Sequence, residues 1–173
     1  MSRRILVSLV GVCILLVGCT ATRETTAEAA KTPANEPAVA LPTLPISMNA
    51  VMVSLVDHAS HAIWDVADKK KAPRSEQDWT ELEHHALQLA ALGTVITLPG
   101  TGVGDKTWTQ AEEWKKYSKE LSDIGLAAVN AARKKDLAGV LAAGDQLVVN
   151  CEGCHKAYKP DMPSEGVLHP HYR

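Results

Sequence analysis

The sequence predicts an all-α fold, an antiparallel four-helix bundle. Three observations predict it. Between residues 46 and 160, apolar side chains recur at spacings of three and four in four separate stretches, the pattern of amphipathic helices. Short breaks separate the stretches, at Pro73, at Pro99-Gly100 and at the basic run Arg133-Lys134-Lys135. Finally, nothing from 46 to 158 alternates with period two for long, although Thr94 to Leu98 is locally ambiguous. Helices joined by short connections pack as antiparallel neighbours.

The first helix carries Met48, Val51, Met52, Leu55, Ala59, Ala62, Ile63 and Val66 on its inner face. Lys69-Lys70-Lys71 suits its C-terminal end and Pro73 stops it. Ser75 followed by Asp78 resembles a capping box and opens the second helix. That helix turns Trp79, Leu82, Ala86, Leu89, Gly93 and Ile96 inward. Residues 99–107 form a Gly-rich loop. Its Gly100-Thr101-Gly102-Val103-Gly104-Asp105-Lys106-Thr107 looks like a phosphate-binding loop, but Asp105 stands where that motif needs glycine before the lysine. The segment is therefore expected to be a flexible turn. The third helix presents Trp114, Tyr117, Leu121, Ile124, Ala128 and Ala131. The fourth presents Leu137, Val140, Leu141, Gly144, Leu147 and Val148.

The 173 residues are 46% hydrophobic and 22% charged, with four Cys and no Phe. This length and composition suit one globular domain with an appendage. The net charge of −2 leaves no basic footprint for nucleic acid. With so few aromatics, the core is built from Ala, Val and Leu, or a cofactor fills part of it.

The N-terminal end reads as an address. Arg3 and Arg4 precede an apolar run from Ile5 to Val17, too short to span a bilayer and suited to a signal peptide over residues 1–18. Leu16-Val17-Gly18-Cys19 resembles the lipobox of bacterial lipoproteins, which implies that Cys19 is acylated and becomes the new N-terminus. A plain secretory signal and a twin-arginine signal are the alternatives. Removal of residues 1–18 takes Arg3, Arg4 and Cys13 and leaves 16 basic against 20 acidic residues. Residues 19–45, rich in Ala, Thr, Glu and Pro, read as a disordered tether. Two or three acyl chains would hold the protein stably on a membrane, and Thr20 favours the outer over the inner one.

The chemistry lies at Cys151-Glu152-Gly153-Cys154-His155, at the end of the fourth helix. Two thiols at this spacing can add to the two vinyl groups of one haem, and the adjacent imidazole then reaches its iron. Continuing the stripe from Leu147 by threes and fours gives Cys151, Cys154, His155 and Tyr158, so the motif faces the bundle interior. A redox dithiol is the alternative, but it belongs at a helix N-terminus. A zinc site would have to draw on His169 and His171, whose spacing is unsuited. A structural disulfide is the last.

An export signal, four helices and Cys-x-x-Cys-His near the C-terminus resemble class II c-type cytochromes, the cytochrome c′ type. The resemblance covers residues 46–160. It is specific around Cys151 to Tyr158; Lys159 stands where the family often has arginine, and the tail 161–173 extends beyond many members. It implies one covalent haem c on Cys151 and Cys154, with His155 as proximal iron ligand. In this family the distal residue comes from the first helix and is either an apolar blocker or a methionine. By that register Met52 is the expected ligand; Met48, a histidine and an open position remain alternatives. Met162 is too near His155 in sequence to reach the opposite face. His58, His61, His84 and His85 fall on outer or solvated edges.

The expected function is one-electron transfer by an exported, lipid-anchored monohaem carrier. The rival is a five-coordinate protein binding nitric oxide or carbon monoxide; a third class is a cofactor-free scaffold lipoprotein. No residue constellation for hydrolysis or group transfer is visible, so an enzyme is not expected. A redox protein of unspecified identity is the expected partner, and the resemblance implies a possible homodimer through helices one and two. The missing phenylalanines suggest that a buried porphyrin supplies aromatic bulk.

Overall fold

The computed structural model describes residues 41–159. The signal segment, Cys13, Cys19, all of the tether before residue 41 and the tail 161–173 lie outside the described residues. Within the tether stretch, the N–H of Leu44 donates to the carbonyl of Pro99 at 2.8 Å and its side chain packs on the core.

The elements run in order as α1 (Met48–Val51), a π-helical turn (Met52–Val56), α2 (Asp57–Trp64), a 3₁₀ turn (Asp65–Ala67), α3 (Glu76–Val95), α4 (Asp105–Gln110), α5 (Glu112–Arg133) and α6 (Leu137–Tyr158). The first four are continuous and form one rod. No strand occurs among the described residues. Each start has a local cause. Ser47 accepts from the N–H of Ala50, and Asp136 from that of Gly139. Ser75 and Asp78 form the capping box, each side chain accepting the other's backbone N–H. The α5–α6 connection takes a left-handed step at Lys135, φ 54°, which lets α6 reverse direction.

Cross-links fix the directions. Lys135 pairs with Glu76 and Arg133 with Glu83, while Trp114 reaches Ile96 at the other end. α3 and α5 are therefore antiparallel. Asn150 reaches the carbonyl of Tyr117, and Gly139 lies against Ala131, so α5 and α6 are antiparallel too. Trp64 donates to the carbonyl of Gly144, tying the first rod to α6. α2 also packs on α3, closing an antiparallel four-rod bundle. Its fully buried centre is small and aliphatic: Ala59, Ile63, Ala86, Leu89, Val140 and Leu147. α3 and α5 approach so closely that a Cβ on Gly125 would lie 2.4 Å from the Ala90 nitrogen.

Three expectations are corrected. Leu55 does not face the core: it is 44% exposed, and Val56 at 6% takes its place. The N–H of Asp57 reaches back five residues to the carbonyl of Met52, so this turn holds one extra residue and moves the inner position on by one. On the fourth rod, Leu137, Leu141 and Val148 are exposed. α6 is covered by α2 and α5, and Val140, Ala143, Gly144 and Leu147 suffice to fill the narrow contact. The Gly-rich loop is not a loose turn either. It leads into α4, and Asp105, only 2% exposed, accepts from the N–H groups of Met48 (2.7 Å) and Gly102 (2.8 Å).

Candidate functional site

The start of the first rod and the end of α6 lie at the same end of the bundle, as antiparallel packing requires. Between them lies a cleft with about 810 Å³ of empty space between its walls, solvent-open parts included. One wall comes from the first rod through Met48, Met52, Val53 and Val56. The facing wall is α6, through Cys151, Cys154, His155 and Tyr158. Thus Cys151, Cys154, His155 and Met52 all line one cavity. Cys19 lies outside the described residues.

The helical phase places the motif. Asn150 and Cys154 are buried on the inner face of α6, with Cys151 and His155 half-buried beside them. No disulfide joins the two cysteines. Burial pushes the Cys151 thiol up to about 12, with smaller contributions from Cys154 and Asp57. Burial does the same to Cys154, also to about 12, assisted by Glu113. Burial lowers the pKa of His155, the positive charge of Lys159 lowers it further, and Asp57 partly opposes both. The neutral imidazole is thereby favoured, which is the form that ligates metals.

The two methionines differ. Met48 is 1% exposed and embedded in the core, its N–H held by Asp105, whereas Met52 is half-buried at the cleft. Among the described histidines only His155 lines the cleft. His58 and His84 are exposed, and His61 and His85 are half-buried.

Sequence reasoning missed the aromatic end of the cleft. Trp108 and Trp114 stack with centroids 5.7 Å apart. Tyr158 meets both edge-on, at 6.2 and 5.0 Å. The Trp114 indole donates to the Ile96 carbonyl at 2.7 Å, and the Lys159 ammonium lies 5.4 Å from the Trp108 ring. Trp108 sits on α4, a helix too short to announce itself by periodicity. Asp57 was also missed. Its carboxylate is 7% exposed, lines a mostly apolar wall, and lies 3.5 Å from His61 Nδ1. A lone Asp on an amphipathic helix carries no signal of such a placement.

The residues present fit haem c. Two thiols share one helix face, the next residue is a half-buried imidazole, and the walls are mostly apolar. Moreover, His155 Nδ1 is buried with no hydrogen-bond partner. A buried polar atom left unpaired in a native fold calls for a missing neighbour.

A family model described as Cytochrome C' matches residues 52–159. No curated protein matches the chain, and no solved structure does. The matched span runs from Met52 through the motif to Lys159 and takes in every rod of the bundle. With all-helical architecture and a cleft suited to a haem, the chain belongs to the cytochrome c′ family, c-type haem proteins that carry electrons or bind small gases.

Proposed function

We propose that this protein is an exported, lipid-anchored, single-haem electron carrier. Cys151 and Cys154 would hold the haem through two thioethers, and His155 and the Met52 sulfur would ligate its iron. The observation that carries the reading is that Met52 and His155 line one cleft from the two walls that face each other. When bound, haem supplies the one-electron ferric/ferrous couple. The chain's own contribution is to bury, orient and ligate. Met52 and Val56 exclude water from the distal wall, Trp108 and Trp114 close one end, and a thioether ligand raises the potential relative to a second imidazole.

Export and anchoring rest on the sequence of residues 1–19, with Cys19 as the lipidated residue. No helix among the described residues is long and apolar enough to cross a membrane. Periplasmic placement is typical of the family; the outer membrane is the site we favour.

The absorption spectrum of the reduced protein, with and without carbon monoxide, tests the reading. A sharp low-spin α band that carbon monoxide leaves alone supports electron transfer through a filled sixth position. A broad high-spin band that shifts with carbon monoxide replaces it with the gas-binding reading. Absence of haem staining after denaturing electrophoresis rejects covalent attachment altogether.

A further inference from the structure

Outside the cleft, α2 and α3 bring two imidazoles together. The rings of His58 and His85 lie with centroids 5.4 Å apart and planes inclined by 67°. His58 is exposed and His85 half-buried. His85 Nδ1 lies 3.2 Å from the side-chain oxygen of Gln88. That oxygen has no hydrogen to give, so Nδ1 is the donor and the lone pair of the neutral ring stays on Nε2. Metal-binding histidines are prepared in this way: one ring nitrogen donates to an oxygen that fixes tautomer and tilt, and the other faces the ion.

The separation fits as well. Two imidazoles whose nitrogens each lie about 2.0–2.1 Å from one tetrahedral ion have ring centres about 5 Å apart. The backbones that carry both side chains are already fixed by the packing of α2 on α3, so closure orders only the two rings. We propose that His58 and His85 form a two-histidine site for a borderline divalent transition-metal ion, Cu²⁺, Ni²⁺ or Zn²⁺, bridging α2 and α3 on the outer face of the bundle. Imidazole suits these ions. No cluster of three His, Cys, Asp or Glu side chains arranged for a metal occurs among the described residues, so water completes the shell and the ion is exchangeable. His61 is not a third ligand. Its ring is engaged elsewhere, packed on the edge of Trp64 with centroids 5.5 Å apart, whereas the rings of His58 and His85 face each other.

The competing account is simple edge-on packing of two surface rings. Calorimetric titration of the haem-loaded full chain in detergent with zinc chloride, then nickel chloride, separates the two. The histidines of the tail are removed throughout by H169Q and H171Q. The site predicts one ion per chain, affinity weakened at least tenfold by His58→Gln and equally by His85→Gln, a few-fold loss with Gln88→Ala, and no change with His61→Gln. Saturating metal should also raise the thermal midpoint of the parent and not of either His58 or His85 variant. Equal affinity in parent and both variants overturns the proposal, as does one ion per two chains or no saturation below millimolar metal. A haem band that moves on zinc addition would place the ion in the cleft and likewise overturn it. The site is independent of the electron-carrier reading, and either can fail alone.

Discussion

The buried carboxylate of Asp105 accepts the backbone N–H of Met48 at 2.7 Å, across 57 positions of sequence. The same oxygen accepts from Gly102. One side chain thus folds the Gly-rich segment on itself and pins the start of the rod that carries Met52. Asp105→Ala removes a charge-assisted acceptor and strands a buried donor, each worth about 1–3 kcal/mol. We expect a loss of about 2–4 kcal/mol in urea unfolding of the haem-loaded protein. Asp105→Asn, which keeps an oxygen, should lose less. An Ala variant as stable as the parent would show that water replaces the carboxylate freely.

The two methionines of the first rod should separate by assay. Met52→Ala should turn the reduced spectrum high-spin and sensitive to carbon monoxide, with only a modest loss of stability. Met48→Ala should cost about 2–5 kcal/mol, as for a fully buried side chain, and keep the reduced spectrum low-spin. A reversed outcome would move the distal ligand to Met48.

Before haem attachment, the raised thiols of Cys151 and Cys154 make stability depend on alkaline pH. The unfolded chain ionises them near 9, while the folded chain keeps its protons up to about 12. Folding is therefore favoured in full below pH 9, and that contribution is lost as pH climbs from 9 to 12. Denaturation of the haem-free chain at pH 8 and pH 10.5, compared with Cys151→Ser/Cys154→Ser, measures it. The serine variant should lose less stability over the interval. Once thioethers form there is no thiol to ionise, and the difference should vanish.

Gly125→Ala tests the contact between α3 and α5. The new methyl would meet backbone, not a side chain that can turn away. Overpacking of this kind costs about 1–3 kcal/mol, and thermal unfolding should show it. Since Gly125 is remote from the cleft lining, the haem spectrum should not follow.

At the opposite end from the cleft, Ser75→Ala breaks one half of a capping box. A loss of about 1 kcal/mol is expected, again without spectral change. Asp78, whose carboxyl is held below its usual range by the N–H groups of Arg74 and Ser75, should add stability that disappears as pH falls through the acidic range.

Much of this was legible in the sequence because amphipathic periodicity reports directly on burial. Ile63, Ala86, Leu89, Leu121 and Leu147 all sit where their spacing puts them. Cys151, Cys154 and His155 were legible for the same reason, as the phase of α6 carries them to the interior. Leu55 failed because periodicity assumes a constant number of residues per turn, and the turn at Met52–Val56 breaks that assumption. Trp108 and Asp105 failed for another reason. Their placement depends on contacts distant in sequence, of Asp105 with Met48 and of Trp108 with Tyr158, and no local pattern encodes those.

The wide turn at Met52–Val56 also has a bearing on how the protein can change. It acts as a phase joint between two lengths of the first rod. The turn itself supplies Met52, Val53 and Val56 to the cleft, while the length that follows carries Ile63 and Val66 into the aliphatic interior. A rod of uniform pitch would force any rotation of one length upon the other. Here the cleft wall can be retuned, in bulk or in ligand, while the interior half keeps its own alignment.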